Sequence, residues 1–330
     1  MASRGEGDEL ELEVEAPPPA APAKPASDGG DALGCELCRE ANPPPPRCPA
    51  CGLRRDDRPD WQEKARSPSF APAAAWRHPD DDVRLEYRLR VIAPPVVFGL
   101  AFLLMQSETW RSLLRTFITM WMHELGHAVA AWLSGIAAAP GPWRTVIASD
   151  RSIVFTLALL AGLAALGVRA YAAGRKDGVA LVGAIAAVML FCTFALDFHT
   201  ARAMFTFGGD AGMMLLGAAL ALTFWSRPGS HLHTSWLRWG FLVIGALSIA
   251  DGMATWWAAR TDPTAIPYGL IEGVGESDPV VLEDRHGWSQ SELVSRYVTV
   301  GVISLMAVAA RYGVGLWRAP PPPPRPEVSS

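Results

Sequence analysis

Apolar residues occur along this chain in long runs, and polar residues collect between the runs and at the two ends. A helix that crosses a membrane needs about 20 predominantly apolar residues. By that criterion the runs that could cross are 91–106, 114–138, 152–173, 178–197, 211–226, 236–259 and 296–317, of which the first and fifth are short. The pattern predicts an all-α polytopic membrane protein with about six to seven transmembrane helices.

The ends of the chain differ from the apolar runs in composition. Residues 1–32 are acidic and rich in Ala and Pro, which is typical of a disordered tail, and residues 319–330 form a second, Pro-rich tail. Between the tails we predict a small four-cysteine module at 33–55, a linker and juxtamembrane segment at 56–90, and a transmembrane domain at 91–318.

Charge and composition indicate which partners and which cellular location to expect. The net charge of the chain is −4, which gives no support for a nucleic-acid partner. The first residues lack the basic and apolar regions of a signal peptide, and several arginines precede the first apolar run. These features favour a multi-pass protein of the cell inner (cytoplasmic) membrane whose N-terminus lies in the cytoplasm, with the lipid bilayer as its main surroundings.

Four of the five cysteines lie in the stretch "CELCREANPPPPRCPACG". Cys35 and Cys38 form one Cys-x-x-Cys pair, and Cys48 and Cys51 form a second after nine intervening residues. Two pairs at this spacing can place four thiolates tetrahedrally around one zinc ion. We therefore expect a zinc-ribbon-like module with a structural zinc, which would serve structure or docking of a protein partner. Two disulfides, which are rare in the cytoplasm, or a redox pair are the alternatives.

The run 114–138 contains "MWMHELGHAV", which places three polar residues near the middle of an apolar helix. His123 and His127 are four residues apart, so both lie on one helix face and can hold one metal ion. Glu124 stands beside the first ligand, where it can take a proton from water activated by zinc. A charged group at the centre of a bilayer costs about 2.5–3.5 kcal/mol, so a catalytic metal site is favoured over a polar patch that joins helices.

The stretch "HELGHAVAAWLSG" within an apolar run, in a chain with several further runs, resembles the site-2 protease family of intramembrane zinc metalloproteases, in particular a divergent bacterial branch. The resemblance covers roughly residues 114–260. It implies that His123 and His127 are zinc ligands, that Glu124 is the catalytic residue, and that the chain is a zinc metalloendopeptidase. The implied substrates are membrane proteins or peptides, cut within or near the bilayer.

A catalytic zinc takes three protein ligands and a water molecule, so a later segment must supply the third ligand. In the family that the chain resembles, this ligand is an aspartate, commonly followed by glycine. We favour Asp210, because the glycines of "FTFGGDAGMMLLG" would allow a close approach to the metal. Asp210 could instead cap the following helix. Asp251, in an Asp-Gly pair, and Asp197, at the end of a run, are the alternative third ligands.

Two other functions fit parts of the pattern. The chain could be a non-proteolytic membrane protein of the same fold with a structural or sensory metal site, or an ion or solute transporter that uses the buried histidines and acids. Glu124 favours the hydrolase, because a structural site has no use for a carboxylate that does not bind the metal. A transporter would often show paired internal repeats, and none is evident.

Overall fold

The computed structural model describes residues 79–226, 230–271 and 275–317. The predicted four-cysteine module and both predicted tails lie outside these ranges, so the structural zinc site remains a prediction. Its four proposed ligands are Cys35, Cys38, Cys48 and Cys51.

The described part of the chain is mostly helical, with two short antiparallel hairpins that the sequence did not predict. A turn of π-helix at Arg115–Thr119 joins the helices Glu108–Leu114 and Met120–Leu133. The elements in chain order are α1 (Pro79–Leu104), α2 (Glu108–Leu114), α3 (Met120–Leu133), β1 (Ile136–Pro140), β2 (Thr145–Arg151), α4 (Ile153–Ala172), α5 (Lys176–Phe194), α6 (Phe198–Leu222), α7 (His231–Thr234), α8 (Leu237–Ala258), β3 (Leu270–Ile271), β4 (Gly275–Glu276), α9 (Asp278–His286) and α10 (Gln290–Trp317).

Six helices of the described chain are long and apolar enough to cross a membrane, which agrees with a polytopic membrane protein. They are Arg84–Leu104, Ile153–Ala172, Lys176–Phe194, Phe198–Trp225, Leu237–Ala258 and Gln290–Trp317. The predicted span 114–138 is not among them. There the chain forms the π turn, the 14-residue α3 and then the first strand of a hairpin. The helix ends at Leu133, before Gly135, which has φ 73°.

Helix α6 runs through the middle of the bundle and packs against α3, α8, α9 and α10. The sequence predicted a helix only from 211 onward, but α6 begins at Phe198 and continues through the glycines. These glycines serve packing: a Cβ added to Gly126 of α3 would lie 2.8 Å from the carbonyl oxygen of Gly209 and 3.0 Å from Cα of Gly212. Glycine at such contacts lets two helix backbones approach closely. The polar face of α3 therefore lies directly against α6.

The hairpin β1–β2 follows α3 and turns the chain back towards it. Gly135, between α3 and β1, has φ 73°, a left-handed conformation that favours glycine. At the end of β2, Arg151 donates to the carbonyl oxygen of Ser134 at the end of α3 and to that of Cys192 near the end of α5, at 3.1 Å in both cases. The arginine thereby joins the hairpin to two helix C-termini.

Candidate metal centre

Three side chains from two distant parts of the sequence meet between α3, α6 and α9. Nε2 of His123 lies 3.1 Å from Nε2 of His127. Oδ2 of Asp278 lies 3.3 Å from the first of these nitrogens and 3.2 Å from the second. His127 is buried, whereas His123 and Asp278 are partly exposed, so one side of the group can be reached from outside the protein.

The spacing of these three donor atoms fits a zinc ion. Zinc–nitrogen and zinc–oxygen bonds are about 2.0–2.2 Å long, so the ligand atoms of a tetrahedral site lie roughly 3.3–3.5 Å apart. The three separations, 3.1 to 3.3 Å, are close to that edge length. Two imidazoles with one carboxylate are also the ligand set of one class of catalytic zinc site. The side chains present therefore suit zinc in both geometry and chemistry.

Both imidazole rings are oriented by acceptors on α6. Nδ1 of His127 lies 2.7 Å from the carbonyl oxygen of Phe205, and Nδ1 of His123 lies 2.8 Å from Oδ1 of Asp210. A carbonyl can only accept, so Nδ1 of His127 carries a proton and donates it; the carboxylate of Asp210 favours the same tautomer of His123. With Nδ1 engaged in this way, Nε2 is the nitrogen that each ring can offer to a metal ion.

Glu124 is buried beside the first histidine and has its own hydrogen-bond partner. Oε2 of Glu124 lies 2.7 Å from the hydroxyl oxygen of Thr145, the first residue of β2. The same hydroxyl lies 2.8 Å from the backbone carbonyl oxygen of Glu124. The hairpin that follows α3 therefore holds the carboxylate that sequence reasoning identified as the proton acceptor.

Asp278 is the first residue of α9, and sequence reasoning missed it. It follows Ser277, precedes Pro279, and lies in the segment 260–295 that reads as an acidic, polar loop. A Ser-Asp-Pro stretch is a signal for the start of a helix, but it does not indicate a metal. Burial raises the pKa of Asp278, but the facing imidazoles outweigh burial and lower it to about 2.

Asp210, the predicted third ligand, lies elsewhere in the site. Its carboxylate meets Nδ1 of His123, whereas the nitrogen that faces His127 and Asp278 is Nε2. The structure thus places Asp210 on the Nδ1 side of the His123 ring and groups Asp278, rather than Asp210, with the two Nε2 atoms. Of the glycines that favoured Asp210, Gly208 and Gly212 lie against α3, whereas Gly209 lies against the side chains of His123 and Asp278. They are part of a continuous helix and do not form a loop.

The two alternative third ligands have other partners. Asp251 is fully buried on α8, where it accepts hydrogen bonds from Arg115 at 3.1 Å and from Thr119 at 2.7 Å. Asp197 is the N-cap of α6 and accepts from the backbone N–H of Thr200 at 2.9 Å. Neither aspartate joins the group formed by the two histidines and Asp278.

Comparison of the chain with protein-family models, with curated proteins and with solved structures gives no match. The case for a function therefore rests on the arrangement of the side chains and on the membrane setting of the helices.

Proposed function

We propose that the chain is a membrane-embedded zinc metalloprotease that hydrolyses peptide bonds of membrane proteins within or near the bilayer. One observation carries the proposal: His123, His127 and Asp278 present their donor atoms to a common point, and Glu124 stands beside the first ligand. The six helices that could cross a membrane support the membrane setting.

Each side chain has a distinct task in this reaction. His123, His127 and Asp278 would hold the zinc ion, which, when bound, polarises a carbonyl group and lowers the pKa of water towards about 7. Glu124 accepts the proton from the attacking water and returns it to the leaving amine. Thr145 keeps the Glu124 carboxylate in one orientation. The substrate segment must unwind to expose its carbonyl, because a helix satisfies its own backbone groups.

Glu124 separates this proposal from a structural or sensory metal site. Its side chain is buried, and burying a carboxylate in a membrane protein is costly. Glu124 is not one of the three grouped donors, so burying its carboxylate does not help to hold the metal. A hydrolase requires such a carboxylate as its base, whereas a structural site does not.

The pairing of the other buried acids argues against a transporter. Asp210 and Asp251 both lie next to the guanidinium group of Arg115, at 3.4 and 3.1 Å. A carboxylate that passes ions along a membrane path has to exchange its partners. Here both carboxylates are paired with the same guanidinium group. The two acids are better explained as parts of a fixed charge network.

The test uses the full chain in detergent, with the predicted cysteine-bound zinc removed. This background protein carries Cys35→Ser, Cys38→Ser, Cys48→Ser and Cys51→Ser. We expect about one zinc ion per chain and cleavage of membrane-spanning model peptides in the same micelles. Glu124→Gln should keep the zinc and lose cleavage by about 10²–10⁴-fold, the usual contribution of a general base. The proposal fails if the background protein holds no zinc, or if Glu124→Gln cleaves as fast as its parent.

A further inference from the structure

A row of polar residues extends from the metal centre along the helix that precedes it. Its members occur at every fourth position of the chain and are Arg111, Arg115, Thr119, His123 and His127. In an α-helix a spacing of four overshoots one turn by about 40°, so such a row drifts around the helix. A π-helical turn holds more residues, and the π turn at Arg115–Thr119 counteracts this drift. The row therefore keeps facing α6 and α8.

Asp210 connects this row to the metal centre. Its carboxylate accepts from three donors on three elements: Nδ1 of His123 at 2.8 Å, Nε1 of Trp256 at 2.8 Å, and the guanidinium of Arg115 at 3.4 Å. Trp256 is itself fixed, since it is fully buried and stacked on Tyr297. The carboxylate thus has one orientation, in which Oδ1 faces the histidine.

Arg115 is held in turn by Asp251. Its guanidinium donates to Oδ2 of Asp251 at 3.1 Å, and that oxygen also accepts from Thr119 at 2.7 Å. On the other side of Asp251, Nε of Arg111 lies 3.7 Å from Oδ1. Two arginines and two aspartates sum to zero charge, so these four side chains add no net charge between the helices.

Stability alone is a weak explanation for this network. Replacing buried ion pairs with apolar residues of similar volume is often neutral or stabilising, because desolvation cancels much of the attraction. The network does, however, end on Nδ1 of His123. A carboxylate on the outer nitrogen of a metal-binding histidine fixes the tautomer and makes the inner nitrogen more basic.

We propose that Asp210 and Arg115 are positioning residues of the metal centre, which act through His123 and set the affinity of the site for zinc. The inference rests on the proposed function. His127 has a neutral carbonyl behind its ring, and His123 has an anion. The anion strengthens His123 as a ligand, and Arg115 keeps that anion in place.

The test measures zinc affinity in the background protein by competition with a chelator of known affinity. Asp210→Asn keeps the shape of the side chain and an acceptor oxygen but loses the charge, and it should weaken zinc binding by about 10–100-fold. Arg115→Gln should weaken binding by a smaller factor, and Arg115→Lys, which keeps the charge, should restore part of it. The absorption bands of bound Co²⁺ should shift in Asp210→Asn, because the His123 ring is no longer fixed.

Glu86→Gln is the matched control. Glu86 belongs to a separate ion-pair cluster, in which it accepts from Arg238 at 2.8 and 2.9 Å and from Arg90 at 2.8 Å. This variant should keep zinc affinity within twofold, and thermal unfolding of the metal-free variants shows whether Asp210→Asn is folded. If Asp210→Asn is not folded, the comparison of Arg115→Gln with Arg115→Lys tests the proposal.

The outcomes separate this inference from the proposed function. If the background protein binds zinc and both Asp210→Asn and Arg115→Gln bind it within twofold of that affinity, the positioning role is wrong while the metal centre stands. If the background protein binds no zinc, the metal centre itself is wrong, and the positioning role fails with it.

Discussion

The hydroxyl of Thr145 bridges to both ends of Glu124: it lies 2.7 Å from the carboxylate oxygen Oε2 and 2.8 Å from the backbone carbonyl oxygen. The hairpin β1–β2 thus reaches back to the helix from which it emerged and contacts its most costly buried residue. Helix α3 and strand β2 are thereby joined, and the strand orients the carboxylate of the proposed base.

Replacing Thr145 should therefore affect turnover more than metal binding. Thr145→Val keeps the volume but removes the hydroxyl. A hydrogen bond to a charged group contributes about 1.5–3 kcal/mol, so kcat should fall by about 10–150-fold. Zinc content and KM should change little, because Glu124 does not hold the metal. Thr145→Ser, which restores the hydroxyl, should recover most of the rate; equal rates for the Val variant and the parent would contradict the contact.

The position of Gly209 behind the metal centre leads to a second prediction. A Cβ added there would lie 2.7 Å from Nε2 of His123 and 2.7 Å from Oδ2 of Asp278, two of the three grouped donors. Gly209→Ala should displace at least one donor and reduce zinc affinity by tenfold or more. Zinc competition in the background protein measures this loss.

Gly162→Ala provides the comparison for that variant. Gly162 is also within a helix, but a Cβ added there meets nothing within 4 Å. Alanine is a better helix former than glycine, so this change should leave zinc affinity unaltered. Unchanged affinity in both variants would mean that the donors do not lie where the structure places them.

Asp278 should be more important for zinc binding than the aspartates that the sequence favoured as alternatives. Asp278→Ala removes one of three ligands, and we expect zinc affinity to fall by at least 100-fold. Asp197→Asn should bind zinc like the parent, because asparagine also caps a helix well. Equal affinities for Asp278→Ala and the parent would remove Asp278 from the site and reopen the question of the third ligand.

The sequence predicted the helical membrane architecture because apolar runs report membrane spans directly. It also brought His123, Glu124 and His127 together, since residues one to four positions apart on a helix lie close in space without any knowledge of the fold. The donor grouping in the structure agrees with the pairing of the two histidines.

The third member of the donor group, Asp278, could not be predicted in the same way. Asp278 lies more than 150 residues from His127 and reaches it only because α9 packs against α6. Nothing local distinguishes its carboxylate from the other acids of the segment 260–295. The sequence favoured Asp210 because of its neighbouring glycines. Gly208 and Gly212, however, are explained by the close contact of α6 with Gly126. Gly209 does lie against the side chains of His123 and Asp278, so the expected close approach occurs there, but the carboxylate grouped with the histidines is that of Asp278.

The anchoring of α9 leads to a final prediction about how Asp278 is kept in place. This helix has only nine residues, and Leu282 is its fully buried apolar anchor, packed in the cluster that includes Leu293 and Tyr297. Leu→Ala at such a site usually costs about 2–5 kcal/mol. Because α9 is short, much of that cost should appear as local detachment of the helix rather than as unfolding of the whole bundle.

Leu282→Ala should therefore weaken zinc binding by about tenfold or more, although Leu282 is an apolar residue and not one of the three grouped donors. Asp284→Ala changes an exposed residue of the same helix and should leave the affinity unchanged. Hydrogen exchange of the metal-free protein should show faster exchange in 278–286 for the Leu282 variant, with the amides of α6 and α8 protected as in the parent. Uniformly faster exchange across the bundle would contradict local detachment and would attribute the loss of zinc to global destabilisation.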